Sequence, residues 1–288
     1  MQYRTLGRTG IKVSPYALGA MMLGAAIGNP DHDDSIRVIH RALDAGINVI
    51  DTADRYSQGE SEEVVGKALK GRRDDVVLAT KFFGPMGGDP NQQGGSRRWI
   101  MTAVENSLRR LQTDYFDFYQ IHRPDPDTDI EETLSALTDL IHSGKVRVIG
   151  SSSMPASEIV EAQWVAERRG LTRFRTEQPT YSILHRGIET EVLPVAQRYG
   201  MGTLVWSPLA KGMLTGRIRK GQQTDLRRAA SPRPPEPGPP PPARRRAGRR
   251  LTHVAAVRRR TRAIRRRSHL PILVTTLSSW STGALPHL

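Results

Sequence analysis

A parallel α/β barrel is the fold class this sequence predicts. Three observations carry it: seven short apolar runs, amphipathic helical segments between them, and a length of 288 residues. About 250 residues is typical of a (β/α)8 barrel, so one such domain nearly fills the chain. The runs are Tyr16–Met22, Asn48–Thr52, Val76–Phe82, Phe116–His122, Val146–Ser151, Arg175–Thr180 and Thr203–Ser207. They are rich in Val, Ile, Leu and aromatics, and most are too short to be helices. Between them the spacing turns helical. In Asp34–Ala45, residues Ile36, Val38, Ile39, Ala42 and Leu43 form one apolar face, and Gly46 stands where a helix ends. Ile130–His142 repeats the plan, with Glu131 and Glu132 in its first turn, where the helix dipole favours acids, and Gly144 just past its end. Alternation at this pitch builds a parallel sheet with helices outside it.

Ahead of the first run, Tyr3–Val13 reads as two short extended pieces around a Gly-containing turn. That predicts a β-hairpin able to plug the bottom of the barrel.

Charge divides the chain. From Leu226 to Leu288 there are fifteen arginines, no lysine and one acid, Glu236, so the net charge of +14 belongs to this stretch and residues 1–225 are neutral. Ala230–Pro242 is almost all Pro, Arg and Gly, and Arg triplets recur to Arg267. Such composition predicts a disordered tail at 229–288 behind a barrel at 1–228, with polyproline II locally. Cysteine is absent, which excludes disulfides, thiolate metal sites and a Cys nucleophile; no metal site is expected. No secretory signal opens the chain, and no stretch approaches the roughly 20 apolar residues of a membrane helix, so a cytoplasmic protein is expected.

In a parallel barrel, catalytic groups lie at the C-terminal ends of strands. The second run ends at Asp51, with Tyr56 five residues on; the third ends near Lys81 and the fourth at His122. Each places a polar group against an apolar run, where a charge is costly unless paired. Asp51 and Lys81 can pair. A Lys81 ammonium beside the Tyr56 phenol should lower its pKa, and His122 could hold an acceptor oxygen. Singly, each has a structural explanation: an ion pair, a loop tyrosine, a core histidine. Four at successive strand ends are better explained as a site.

The runs Asn48–Tyr56, Ala79-Thr80-Lys81, Tyr119–Asp125, Ser107–Leu111 and Gly144–Gly150 resemble the signature segments of the aldo-keto reductase family, and the likeness runs from Gln2 to about Arg228. Its wording is closest to bacterial members, which lack the long loops of the mammalian ones. The resemblance implies a TIM barrel and NADPH-dependent reduction of aldehydes or ketones to alcohols. It makes Tyr56 the general acid, Lys81 and Asp51 its tuning pair, and His122 the group that orients the carbonyl. It places the cofactor on Met21, Asp51, Ser152, Ser153, Gln178, Trp206, Ser207, Leu209, Lys211, Gly212 and Leu214. Ser153 stands where the family has Asn, which removes part of the amide-binding capacity. Trp206 would stack on the nicotinamide, and Met21, Phe83 and Trp206 suggest an apolar, aromatic-tolerant pocket for a small carbonyl substrate.

The family pattern requires a further helix, an eighth strand and an Arg-containing segment for the adenosine 2′-phosphate after Gly216. Nothing from Ser231 onward resembles these, although His269–Val274 is strand-like. The tail has the composition of an out-of-frame reading of a GC-rich gene, which points to a frameshift near Arg228–Ser231. A missing eighth stave would leave two unpaired strand edges and an impaired enzyme. Two other readings share these residues. One is an NADPH-binding barrel of the potassium-channel accessory type that regulates a partner without significant turnover. The other is polyanion binding by Arg244–Arg267; without interleaved aromatics, that stretch offers nucleic acid only non-specific phosphate contacts.

Overall fold

The structure, a computed structural model, describes residues 1–216 and 272–275. These fall into two compact units, one holding residues 1–208 with 272–275 and the other holding 209–216. The expected tail at 229–288 lies outside the described residues except at 272–275.

The first unit opens with the expected hairpin, β1 (Arg4–Thr5) antiparallel to β2 (Lys12–Val13). Parallel strands then follow in ring order: β3 (Tyr16–Gly19), β4 (Val49–Asp51), β5 (Val77–Phe82), β6 (Phe116–Ile121), β7 (Val146–Ser152), β8 (Thr176–Gln178) and β9 (Gly202–Val205). Helices α1 (His32–Asp44), α2 (Glu60–Ala68), α3 (Arg97–Leu111), α4 (Ile130–His142), α5 (Ala156–Arg169) and α6 (Val192–Arg198) connect them. The helix signals act as the sequence suggests. Asp31 caps α1 by accepting from the Asp34 N–H at 2.9 Å, Ser96 caps α3 through the Trp99 N–H, and Gly46 follows α1 with φ 88°.

Some strands are shorter than their apolar runs. The first stops at Gly19, and Ala20–Met22 turns into a 3₁₀ segment whose Ala20 carbonyl accepts from Ser61 Oγ instead of a strand neighbour. The sixth stops at Gln178, before Pro179, which has no N–H to give the ladder.

The eighth place is filled. Strand β10 (Ile272–Thr275) pairs in parallel with β9, Ile272 opposite Thr203, and with β3, Val274 opposite Tyr16. The ring of eight is therefore closed. The two unpaired edges expected from the sequence are not found, because the strand-like run in the tail satisfies the backbone groups of both neighbours.

Strand alternation sorts the core into two clusters. Ala17, Val49, Ala79, Phe118 and Leu204, one from each of five strands, pack with Leu6 and Val13 of the hairpin, all buried. The hairpin thus plugs the ring, and burying Leu6 and Val13 contributes on the order of 1.5–3 kcal/mol each. Leu6 fits because position 202 is glycine: a Cβ there would lie 2.4 Å from Leu6. The larger cluster lies between strands and helices and includes Ile39, Ile50, Val64, Leu78, Phe82, Ile100, Leu137 and Ile149.

Candidate active site

All four chemistry-bearing residues meet at one end of the ring. Asp51 closes β4, Lys81 sits next to the end of β5, His122 follows β6, and Tyr56 opens a 3₁₀ turn after β4. Lys81 is fully buried and donates to Asp51 Oδ2 at 2.8 Å, to the Thr52 carbonyl at 2.7 Å and to Tyr56 Oη at 3.4 Å. The Tyr56 and His122 rings meet edge to face, centroids 5.7 Å apart. The His122 backbone N–H is held by the Phe82 carbonyl at 2.9 Å, while its ring Nδ1 is buried with no hydrogen-bond partner.

The electrostatics differ from the sequence expectation at one point. Burial pushes the Tyr56 phenol above its ordinary value and outweighs the lowering effect of Lys81, so the phenol is not primed to ionise near neutral pH. Burial pulls Lys81 down, but the Asp51 carboxylate and Tyr56 together hold it above its usual value. His122 is pushed well below 6.5, by burial first and then by the charges of Lys81, Arg123 and Arg55. At neutral pH the site therefore holds a protonated tyrosine, a charged lysine and a neutral imidazole.

The residues proposed from resemblance for a cofactor fall into two groups. Ser152, Ser153, Gln178, Trp206 and Ser207 cluster at the strand ends of β7, β8 and β9, and Met21 lies half-buried on the turn after β3. Ser152 Oγ and the Ser153 N–H both donate to the Gln178 carbonyl, at 3.0 and 3.1 Å. The Gln178 side chain is tied into the tetrad, its Nε2 donating to Asp51 Oδ1 at 2.8 Å. Trp206 is half-buried, its indole N–H is buried without a partner, and its backbone N–H donates to the Pro179 carbonyl. Phe83 is half-buried against the core. Leu209, Lys211, Gly212 and Leu214 belong to the second unit, where the Gly212 and Leu214 N–H groups both donate to the Leu209 carbonyl.

Ser153 has φ 56°, the left-handed region that asparagine enters more readily than serine. Ser153→Asn is expected to raise the midpoint of thermal unfolding by a few degrees, matching roughly 0.5–1 kcal/mol of relieved backbone cost. A lower midpoint by calorimetry would show that the Ser153 hydroxyl matters more than the backbone.

Two residues that the sequence reading did not single out belong to this cluster. Arg123 donates to Ser153 Oγ, and its guanidinium lies 5.7 Å from the centre of the Trp206 ring. Glu177, fully buried beside Gln178, accepts from Ser151 Oγ at 2.5 Å and from the Met154 N–H at 3.2 Å. A signal existed for Glu177: it is a charge inside a strand, the feature that exposed Asp51 and Lys81.

A third buried acid lies in the loop between Asp51 and Tyr56. Asp54 accepts from the Arg55 N–H at 2.6 Å, while its Oδ2 has no partner. It borders a cavity of about 60 Å³ lined also by Met86, Gln92, Trp99, Ala103, Asn106 and Arg110. Burial, with the nearby Glu62 charge, pushes its carboxyl from 3.8 to about 8. The folded state therefore holds a proton that the unfolded chain releases between these values, so stability falls as pH rises from about 4 to about 8. Asp54→Asn should flatten that fall and leave the protein on the order of 1–3 kcal/mol more stable at pH 9, with little change at pH 4. Urea midpoints across this range test it, and a variant less stable at pH 9 would overturn it.

Among the described residues, no helix is long and apolar enough to cross a membrane, and no group of three or more His, Asp or Glu could hold a metal ion.

The profile of the Aldo/keto reductase family matches residues 16–263. A rice protein named "Probable voltage-gated potassium channel subunit beta" is 41% identical over 227 residues, covering 77% of this chain and 68% of that protein. The aldo-keto reductase YhdN of Bacillus subtilis (strain 168) is 41% identical over 221 residues, 76% of this chain and 65% of its own length. A Bacillus subtilis oxidoreductase, YrpG, is 42% identical over 232 residues, 76% and 70%. The chain thus spans about two thirds of the length of these relatives.

Proposed function

Because the chain belongs to the aldo/keto reductase family, which comprises NAD(P)H-dependent oxidoreductases acting on carbonyls, we propose that it reduces aldehydes or ketones to alcohols with NADPH. The observation that carries this reading is the junction of Lys81, Asp51, Tyr56 and His122 at one end of the ring. The strand-end cluster fits a nicotinamide. Arg123 links its two sides, donating to Ser153 Oγ and lying 5.7 Å from the centre of the Trp206 ring, and the Trp206 Nε1 and His122 Nδ1 atoms are buried and unpartnered. When bound, the nicotinamide supplies a hydride, which no side chain can provide.

Everything else falls to the chain's own groups. Tyr56 keeps its proton at neutral pH, as an acid must if it is to protonate the carbonyl oxygen when that oxygen becomes an alkoxide. The phenolate left behind lies 3.4 Å from the Lys81 ammonium, which offsets its charge until solvent returns the proton. The neutral His122 imidazole can donate one hydrogen bond to the same carbonyl oxygen and orient it. The buried Asp51 holds Lys81 charged and, through Gln178, links the catalytic groups to the cofactor cluster.

The test is loss of NADPH absorbance with a panel of aliphatic and aromatic aldehydes, with NADH run in parallel. Multiple turnovers support the reading. A single stoichiometric oxidation would favour the second reading, a regulatory barrel that binds NADPH, for which the rice relative's name is the supporting observation. Polyanion binding would reside in Arg244–Arg267, which lie outside the described residues.

A further inference from the structure

Glu177 is a buried acid beside the strand-end cluster that the mechanism above leaves unused. Its neighbours Thr176 and Gln178 share one face of β8: Thr176 Oγ1 donates to Gln120, and Gln178 Nε2 donates to Asp51. Strand alternation therefore turns Glu177 to the other face, away from the tetrad. There it is fully buried, and its two oxygens divide their work: Oε2 accepts from Ser151 Oγ at the end of β7, and Oε1 accepts from the Met154 N–H beyond it. Ser152 and Ser153 lie between these two anchors. Serine has no strong preference for the left-handed conformation that Ser153 adopts, so something outside the residue must hold the turn. From the opposite side the turn is held by Ser153 N–H and Ser152 Oγ on the Gln178 carbonyl, and by Arg123 on Ser153 Oγ.

We propose that Glu177 is a positioning residue for the nicotinamide subsite, its carboxylate fixing the Ser151–Met154 turn so that the Ser152 and Ser153 hydroxyls are set for the carboxamide. The inference rests on the reading of Ser152 and Ser153 given above. It also explains how β8 tolerates a fully buried acid: each of its oxygens is satisfied by a donor of the segment it organises. Arg123 is the charged group that acts on Glu177, and it is itself bonded to Ser153. Burial pushes the Glu177 carboxyl from 4.5 to about 7, so the clamp is charged in mild alkali and loses its charge as pH falls below neutrality. A neutral carboxyl is a weaker acceptor, and the turn should loosen.

The experiment uses the whole chain and its Glu177→Gln variant, with NADPH and 2′-phospho-ADP-ribose, which lacks the nicotinamide, as probes. Intrinsic tryptophan fluorescence reports binding at pH 8 and pH 6, and amide hydrogen exchange reports on residues 151–154 without ligand. At pH 8 the wild type should bind NADPH at least tenfold more tightly than 2′-phospho-ADP-ribose, and that advantage should shrink at pH 6. Glu177→Gln should lose about tenfold for NADPH and nothing for 2′-phospho-ADP-ribose, show no pH dependence, and exchange the Ser153 and Met154 amides faster. Ser151→Ala removes one clamp contact without touching the acid, and should fall between the two if the glutamine variant folds poorly. A variant that binds NADPH within twofold of wild type, or loses affinity for both probes alike, overturns the role of Glu177 alone. A wild type that binds the two probes equally, or fails to bind NADPH, overturns the reading of the turn and this proposal with it.

Discussion

Tyr56→Phe is expected to lower kcat for aldehyde reduction by roughly 10²–10⁴-fold, the usual contribution of a positioned general acid. NADPH affinity and thermal stability should stay close to wild type. The substitution removes one oxygen and keeps the ring, so the edge-to-face contact with His122 and the Lys81 ammonium 5.1 Å from the ring centre both persist. Only the 3.4 Å hydrogen bond from Lys81 is lost, and Lys81 retains Asp51 and the Thr52 carbonyl. Steady-state rates combined with a fluorescence titration separate chemistry from binding. A loss below tenfold would remove Tyr56 from the proton-transfer role, and a parallel loss of NADPH affinity would make it a binding residue.

The second large effect is on stability. Lys81 and Asp51 are almost wholly out of solvent, with side-chain exposures of 0% and 6%. Removing one partner of a buried pair strands the other charge, at a typical cost of about 3–5 kcal/mol. Asp51→Asn and Lys81→Met should each lower stability by that order, a large share of the 5–15 kcal/mol of an ordinary domain. Asp51→Asn retains an acceptor for Gln178 Nε2, so its loss reports chiefly on the charge. Combining the two should restore much of the lost stability, because neither charge is then left alone. Urea unfolding of the four proteins measures the coupling. Additive losses would mean that the ion pair is not the source of the effect.

The tetrad was legible in the sequence because a barrel strand is a poor place for a charge. Asp51 and Lys81 each interrupt an apolar run, and the period of the runs places both at the same end of the ring. The ionisation of Tyr56 was not legible. Its nearest charged neighbour argues for a lowered pKa, but burial wins, and burial depth is set by elements distant in sequence. Gln178 illustrates the same limit. Resemblance assigned it to the cofactor, whereas its bond to Asp51 spans 127 positions of chain and could not be read locally. Glu177 carries the same signal, a charge inside a strand, but its donors, Ser151 Oγ and the Met154 N–H, lie more than twenty positions away in sequence and give it no local mark.

The tail divides in the same manner. The strand character of the run ending at Val274 was visible in its composition, but not its partners. Pairing with β3 and β9 depends on a gap in the ring that exists only once seven other strands have formed. The frameshift reading concerns residues outside those described, apart from 272–275.

That eighth strand has a kinetic consequence. The strands from β3 to β9 are each joined to the next through loops and one α-helix, so each new pairing closes a modest length of chain. Strand β10 instead reaches its neighbours across residues 206 to 271, and one of those neighbours, β3, lies near the start of the sequence. Among the described strands, ring closure is therefore the least local pairing. Its entropic cost grows only slowly with intervening length, by about 0.6 kcal/mol per doubling, but the search for it is slow. On a ribosome the other seven strands would be complete long before the last arrived, and the interval would leave a sheet with both margins open. Whatever shields those margins during synthesis governs how much of this chain reaches the state in which its chemistry can be tested.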